Sequence, residues 1–310
     1  MNSDDKKKAT EYEEVNKTKP PTKRFSAPYA GTWFWGVKTV ADFKKEITET
    51  TAILGRQSAV KVVFSGNSVS TNPKKKEVTL PDFEDSLELD RGAISFMRGI
   101  VDHESGHLRF TDGNKYYPAL DKGHKDNKKL LSSLIEVVED LRVDRAYASV
   151  YGGSKKNLEV RSEVEILSAM DQIRQLRDRA ETWSKLSEEE IKKAKNLGMS
   201  IPKKPTFAEM VGLALLGKYK RENMGMYCFD FKEFYDKEYS EKEKELIEDW
   251  VKKIHDCDNT EDSIKLANKI YDYFQKIDES EENQGGEGED NRSQGSFKNN
   301  PLTGQYTPRS

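Results

Sequence analysis

A mainly helical α+β fold, with a small antiparallel sheet and a C-terminal helical subdomain, is predicted for this 310-residue chain. Three features predict it. Residues 59–81 alternate apolar and polar side chains with the period of two that strands require. Nearly everything after Asp82 repeats its apolar residues with the helical period, and Gly and Pro break that text into helix-length pieces.

Taken in order, Asp42 to Ala52 has helical character. Val60, Val62 and Phe64 alternate up to a Gly66-Asn67 bend; Val69 and Thr71 follow, then Asn72-Pro73, then Val78 and Leu80 before Pro81. That pattern predicts a meander of three short strands. Helices are then predicted over Asp90–Leu108, Asn127–Tyr147, Asn157–Leu186 (after a Gly152-Gly153 break) and Glu188–Asn196. Thr206, with Glu209 three residues on, is a capping box that opens a helix through Lys220. Ser240–Cys257 and Asp262–Ile277 complete the set. Four segments result: a flexible 1–28, a metal-binding domain over 29–155, a helical subdomain over 156–277 and a disordered acidic linker or tail over 278–310. Trp33, Phe34 and Trp35 should pack on the domain that follows them, since Trp is costly to leave in water.

Composition excludes several classes. Hydrophobic and charged residues each make up 35%, and no run approaches the length of a membrane span. The start, MNSDDKKKATEYEEV, lacks the apolar core of a secretory signal. Fifty-two basic residues against 55 acidic ones leave a net charge of −3, without the basic field that nucleic acid attracts. Cys228 and Cys257 lie far apart, outside any C-x-x-C, so neither a disulfide scaffold nor a cysteine metal site is expected. A cytoplasmic protein that uses neither membrane nor nucleic acid is the expectation.

The chemistry concentrates in one motif. Two of the four histidines lie in His103-Glu104-Ser105-Gly106-His107, an H-E-x-x-H. One helical turn apart, His103 and His107 point the same way and can share one Zn²⁺. They continue the apolar stripe Ala93, Phe96, Ile100, so they look into the domain. Glu104 stands beside them as a base rather than a ligand. The next helix offers the third ligand. Its apolar side is Leu131, Leu134, Ile135, Val138 and Leu141; Glu136, Glu139 and Asp140 crowd another side and repel one another unless a cation faces them. Glu136 and Asp140 form an E-x-x-x-D that places a Glu on the metal and an Asp behind a histidine. His124 is a further histidine, in a Lys/Asp/Gly-rich loop.

These strings together resemble a family. EVTLP (Glu77–Pro81), G-x-x-x-HE-x-x-H-x-x-F-TD (Gly99–Asp112), the ED-x-R-x-D of Glu139–Asp144 and the Tyr151–Gly153 turn are similar to phage and bacterial proteins related to the von Willebrand A-bearing subunit of aerobic cobaltochelatase. The likeness covers about Ser58 to Gly153. It implies a zincin-like, metallopeptidase-type core with His103 and His107 as the metal pair and Glu104 as base. It favours Glu139 as third ligand over Glu136, with Asp140, Arg142 and Asp144 as supporting groups. It also implies a MoxR-type AAA+ ATPase or a separate von Willebrand A-domain protein as partner. The A domain's own D-x-S-x-S is absent: Asp278-Glu279-Ser280-Glu281 lacks the second serine.

Two functions follow as expectations. The first is zinc-dependent hydrolysis of a protein or peptide, with Arg142, Tyr116, Tyr117 or Tyr151 as donors to the oxyanion. The second is a non-catalytic, zincin-shaped adaptor working with the ATPase or a chelatase-like assembly. Elsewhere, Val211, Leu213, Leu215 and Leu216 read as core, Met224–Phe231 as a buried apolar loop, His255 as a surface residue and Lys74–Lys76 as a solvated hairpin tip.

Overall fold

A computed structural model of the chain describes residues 24–25, 38–48, 61–66, 69–72, 76–125, 128–197, 199–225 and 229–282. Most of the N-terminal lead-in, Trp33–Trp35, Lys74, Lys75, the side chain of His124, Met226–Cys228 and the acidic stretch after Glu282 lie outside the described residues.

The described chain is mainly helical. The strands are β1 (Arg24–Phe25), β2 (Lys38–Thr39), β3 (Lys61–Phe64), β4 (Ser70–Asn72), β5 (Glu77–Leu80) and β6 (Glu88–Leu89). A helix over 40–48 is α1; then come α2 (Arg91–Phe110), α3 (Gly113–Lys125), α4 (Lys129–Val150), α5 (Ser154–Ser184) and α6 (Glu188–Asn196). The last four are α7 (Phe207–Met224), α8 (Phe229–Glu238), α9 (Glu241–His255) and α10 (Thr260–Glu282). None of the described helices is long and apolar enough to cross a membrane.

Local chemistry sets the helix starts. The Asp90 carboxylate accepts from Ala93 N at 2.7 Å to open α2. Ser187–Glu190, Thr206–Glu209 and Ser240–Glu243 each form a complete capping box at the head of α6, α7 and α9. Two helices depart from expectation. The Lys/Asp/Gly-rich stretch around Pro118 is α3, and the apolar loop continues into α8 at Phe229. Both are amphipathic pieces that gain helix from the core they cover: Tyr116 of α3 and Phe231, Phe234 and Tyr235 of α8 are buried in it.

The sheet is a correction. It is mixed, not an antiparallel meander: β5 is central, antiparallel to β4 and parallel to β3. The parallel register sets Val62 beside Val78 and Phe64 beside Leu80. Both apolar pairs therefore meet the core that α1 and the first half of α2 share with the sheet. Val78 and Leu80 are almost fully buried there, which fits the central place of β5. A second small sheet has β6 between β1 and β2.

The larger core gathers Leu131, Leu134, Ile135, Val138 and Leu141 of α4, the expected apolar side, with side chains of α5 and α7 to α10. Val211, Leu213, Leu215 and Leu216 lie within it, as their spacing predicts. It joins residues on both sides of position 155. Helix α4 is thus packed nearly all round, and α2 lies against α4 and α5.

Two glycines permit that approach. A Cβ on Gly106 would sit 2.7 Å from Val143 Cγ1 of α4, and one on Gly99 would sit 2.4 Å from the Asn157 carbonyl oxygen of α5. The second neighbour is backbone and cannot swing away. Gly99→Ala is therefore expected to destabilise the fold by about 1–3 kcal/mol through overpacking. Chemical denaturation measures it; an unchanged midpoint would mean that the two helices separate freely.

Candidate metal centre

Helix α2 brings His103 and His107 to the face that meets α4, and α4 brings Asp140 to the same point. His107 Nε2 lies 3.2 Å from His103 Nε2 and 3.0 Å from Asp140 Oδ1; His103 Nε2 is 3.8 Å from the same oxygen. Among the described residues these three form a group whose donor atoms all lie within 4.8 Å of one another. Ligands about 2.1 Å from a tetrahedral ion stand about 3.4 Å apart, so the spacing fits one divalent cation.

The far sides of both rings are held, which sets their tautomers. His103 Nδ1 donates to Asp144 Oδ1 at 2.7 Å. His107 Nδ1 donates to Thr111 Oγ1 at 3.0 Å, and Thr111 donates onward to Glu139 Oε1 at 2.8 Å. With a hydrogen on each Nδ1, both Nε2 atoms are free to turn lone pairs on a cation at the shared point, where His107 Nε2 otherwise donates to Asp140 Oδ1. Carboxyl groups placed behind ligand imidazoles are the usual companions of a metal site.

The acidic side of α4 is no solvated face. Glu139 is fully buried and engaged on both oxygens: Arg142 donates to Oε2 through Nε (2.8 Å) and to Oε1 through Nη2 (2.7 Å), and Thr260 of α10 donates to Oε1 at 2.8 Å. Arg142 is occupied in turn, also donating to the Phe110 carbonyl. The structure thus brings His103, His107 and Asp140 together and holds Glu139 apart, one link behind His107. Glu136 stays near enough to feel Asp140 and His107. Burial first, then the charge of Asp140, push its carboxyl up to about 8, with His107 pulling the other way.

Other charges follow the same geometry. Burial works against an ionised Asp144, yet Lys220, His103 and Arg161 hold it far below the usual carboxylate range. Burial opposes a charged His107 too, but the hydrogen bond and charge of Asp140 raise it, helped by Glu104 and Glu139. Glu104 is itself buried beside the pair. Tyr116 tilts over His107 with ring centroids 5.9 Å apart. Burial, then the charges of Asp140, Glu136 and Glu139, push its phenol well above the ordinary value. Burial and the charge of Glu104 push Tyr117 up to about 12. Both phenols keep their protons at neutral pH and are donors. Tyr151 lies farther out, its hydroxyl accepting from Arg109.

Acid should unlock this cluster. Glu139 is depressed because Arg142 and Thr111 outweigh its burial, and Asp144 is depressed by Lys220. A carboxyl whose folded pKa is lowered adds stability above its unfolded value near 4 and loses it as pH falls further. The melting temperature of the metal-free protein is therefore expected to drop steeply below about pH 4.5. Glu139→Gln, measured across the same range, should show a shallower fall; an identical slope would remove Glu139 from the account.

Four residues that complete the site were not anticipated: Thr111, Arg161, Lys220 and Thr260. Two had a legible signal. Thr111 stands four residues after His107, at the C-cap of α2. Lys220 continues the stripe of Leu213 and Leu216 at i+7 and i+4, a position that should be buried. Arg161 and Thr260 come from distant helices with no local mark. The other tempting histidine, His255, is exposed, as expected from its consecutive placement with Asp256 and Cys257.

Over residues 38–191, just under half of the chain, the sequence matches the family model described as cobalamin biosynthesis protein CobT. No curated protein and no solved structure matches it. The matched stretch runs from β2 into α6 and contains His103, Glu104, His107, Glu139, Asp140, Arg142 and Asp144, while Lys220 and Thr260 fall beyond it.

Proposed function

We propose that this chain is a zinc-dependent hydrolase of the metallopeptidase type, built on a zincin-like pairing of α2 with α4. The observation that carries the proposal is the convergence of His103 Nε2, His107 Nε2 and Asp140 Oδ1 on one point, with Glu104 buried alongside. His103, His107 and Asp140 would hold the ion, with Asp140 in the role that the sequence offered to Glu139 or Glu136. When bound, a divalent ion supplies Lewis-acid polarisation of a carbonyl and an acidified water.

The chain's own groups do the rest. Glu104 accepts the proton of the attacking water and returns it to the leaving amine. Tyr116 and Tyr117, protonated at neutral pH, donate to the oxygen that gains charge in the transition state. Asp144, and Thr111 backed by Glu139, keep both imidazoles in the ligating tautomer. A protein or peptide is the substrate class.

Metal analysis of the purified protein, with casein hydrolysis by wild type and Glu104→Gln, tests the reading. Wild type should hold one zinc and cleave. Glu104→Gln should keep the zinc and lose about 10²–10⁴-fold in rate. Equal rates, or no metal in wild type, would sink it.

The match to the CobT model favours a second reading. Here the same metal-holding fold serves as a non-catalytic component of a chelatase-like assembly in cobalamin biosynthesis, driven by a MoxR-type AAA+ ATPase. A metal-loaded wild type that cleaves nothing yet binds such an ATPase would favour it.

A further inference from the structure

A lysine with no exposed surface is an unusual resident of an apolar helix. Lys220 lies near the end of α7 among Tyr219, Leu216 and Leu213, and its side chain is 1% exposed. Burying an amino group so deeply is costly without a charged, hydrogen-bonded partner. Its partner is Asp144, whose Oδ2 accepts from Lys220 Nζ at 2.5 Å and faces Arg161 Nη1 at 3.5 Å. The other oxygen of that carboxylate receives His103 Nδ1.

We infer that Lys220 is a positioning residue for the metal centre: by gripping Asp144 Oδ2 it aims Oδ1 at His103 and fixes that ring as the Nδ1–H tautomer. The inference rests on the proposed metal centre for its purpose but not for its geometry. A carboxylate with one oxygen anchored by a cation has a single orientation available. Oδ1 then meets the Nδ1 edge of a ring that α2 already holds in place. An imidazole offered a fixed acceptor at Nδ1 keeps its hydrogen there, and Nε2 turns its lone pair to the point it shares with His107 and Asp140. Arg161 reaches the same oxygen at 3.5 Å, a longer and weaker contact than the 2.5 Å one from Lys220. Lys220 thereby ties the C-terminal helices, beyond the CobT-matched residues, to the ligand set on α2.

A merely structural role, in which Lys220 joins α7 to α4, makes a different prediction. It would alter stability and leave the ring and the affinity of the folded protein unchanged. Nitrogen-15 chemical shifts of the histidine side chains in metal-free protein read the tautomer directly. In wild type, His103 should show a protonated Nδ1 and a bare Nε2; a hydrogen on Nε2 would overturn the inference without any variant. In Lys220→Met, the His103 signals should move to a mixture of tautomers, and zinc affinity, from competition with a chromogenic chelator, should fall about 10–100-fold. Lys220→Arg, which restores a cation, should recover much of both. Unchanged His103 shifts and unchanged affinity in folded Lys220→Met would reject the role. If wild type binds no zinc, the metal reading fails by itself, and the tautomer measurement still decides whether Lys220 sets the ring. If Lys220→Met does not fold, Lys220→Gln keeps a donor without the charge and is read in the same two ways.

Discussion

Asp140→Ala is expected to weaken zinc binding by more than about 100-fold while leaving the protein folded. The lower bound follows from the 10–100-fold that loss of a group behind a ligand costs elsewhere, since a direct ligand should cost more. Asp140 is the carboxylate whose oxygen stands 3.0 Å from His107 Nε2 and 3.8 Å from His103 Nε2. Its side chain is about a third exposed, so its removal costs the fold less than loss of a fully buried carboxylate would. Chelator competition gives the affinity, and circular dichroism the fold. Asp140→Ala with wild-type affinity would return the third position to Glu136.

Glu139→Ala should behave in the opposite way. Arg142 is almost fully buried, and Glu139 accepts two of its three hydrogen bonds. Removing one partner of such a pair leaves an uncompensated guanidinium, at a cost of about 3–5 kcal/mol. Thr111 and Thr260 would each lose an acceptor at the same time. A large fall in melting temperature is expected, with only a modest, indirect effect on zinc through Thr111 and His107. The two variants together form a crossed test: one loses metal and keeps stability, the other loses stability and keeps most of its metal. A Glu139→Ala protein as stable as wild type, but unable to bind zinc, would reverse the assignment.

Much of the fold was legible because its causes are local. Capping boxes at Ser187, Thr206 and Ser240 and the aspartate cap at Asp90 mark helix starts whatever surrounds them. The pattern of Leu131, Leu134, Ile135, Val138 and Leu141 marks the face of α4 that must be covered. Strand order was not legible. Alternation over Val60–Leu80 says which side chains share a face, but parallel and antiparallel partners satisfy it equally. Only the meeting of Val62 with Val78 and Phe64 with Leu80 over α2 chose between them. Helices α3 and α8 were missed for a related reason: both are short, α3 carries Pro118 inside it, and the core they cover supplies what makes them helical.

The candidate site divides along the same line. By itself, the sequence determined that His103 and His107 face one way, that Glu104 accompanies them, and that an acidic helix follows, because a one-turn spacing on a helix has a single geometric meaning. It could not determine which acid turns toward the histidines. Glu139 and Asp140 are neighbours about 100° apart around α4, and either could be aimed at α2 by a small rotation of the helix. The tertiary structure decided it: Arg142, one turn along α4, and Thr260 from α10 claim Glu139, Lys220 and Arg161 claim Asp144, and Asp140 is left to face the imidazoles. The physical reason is that buried carboxylates go where their donors are, and Thr260, Lys220 and Arg161 come from helices whose packing no local pattern encodes.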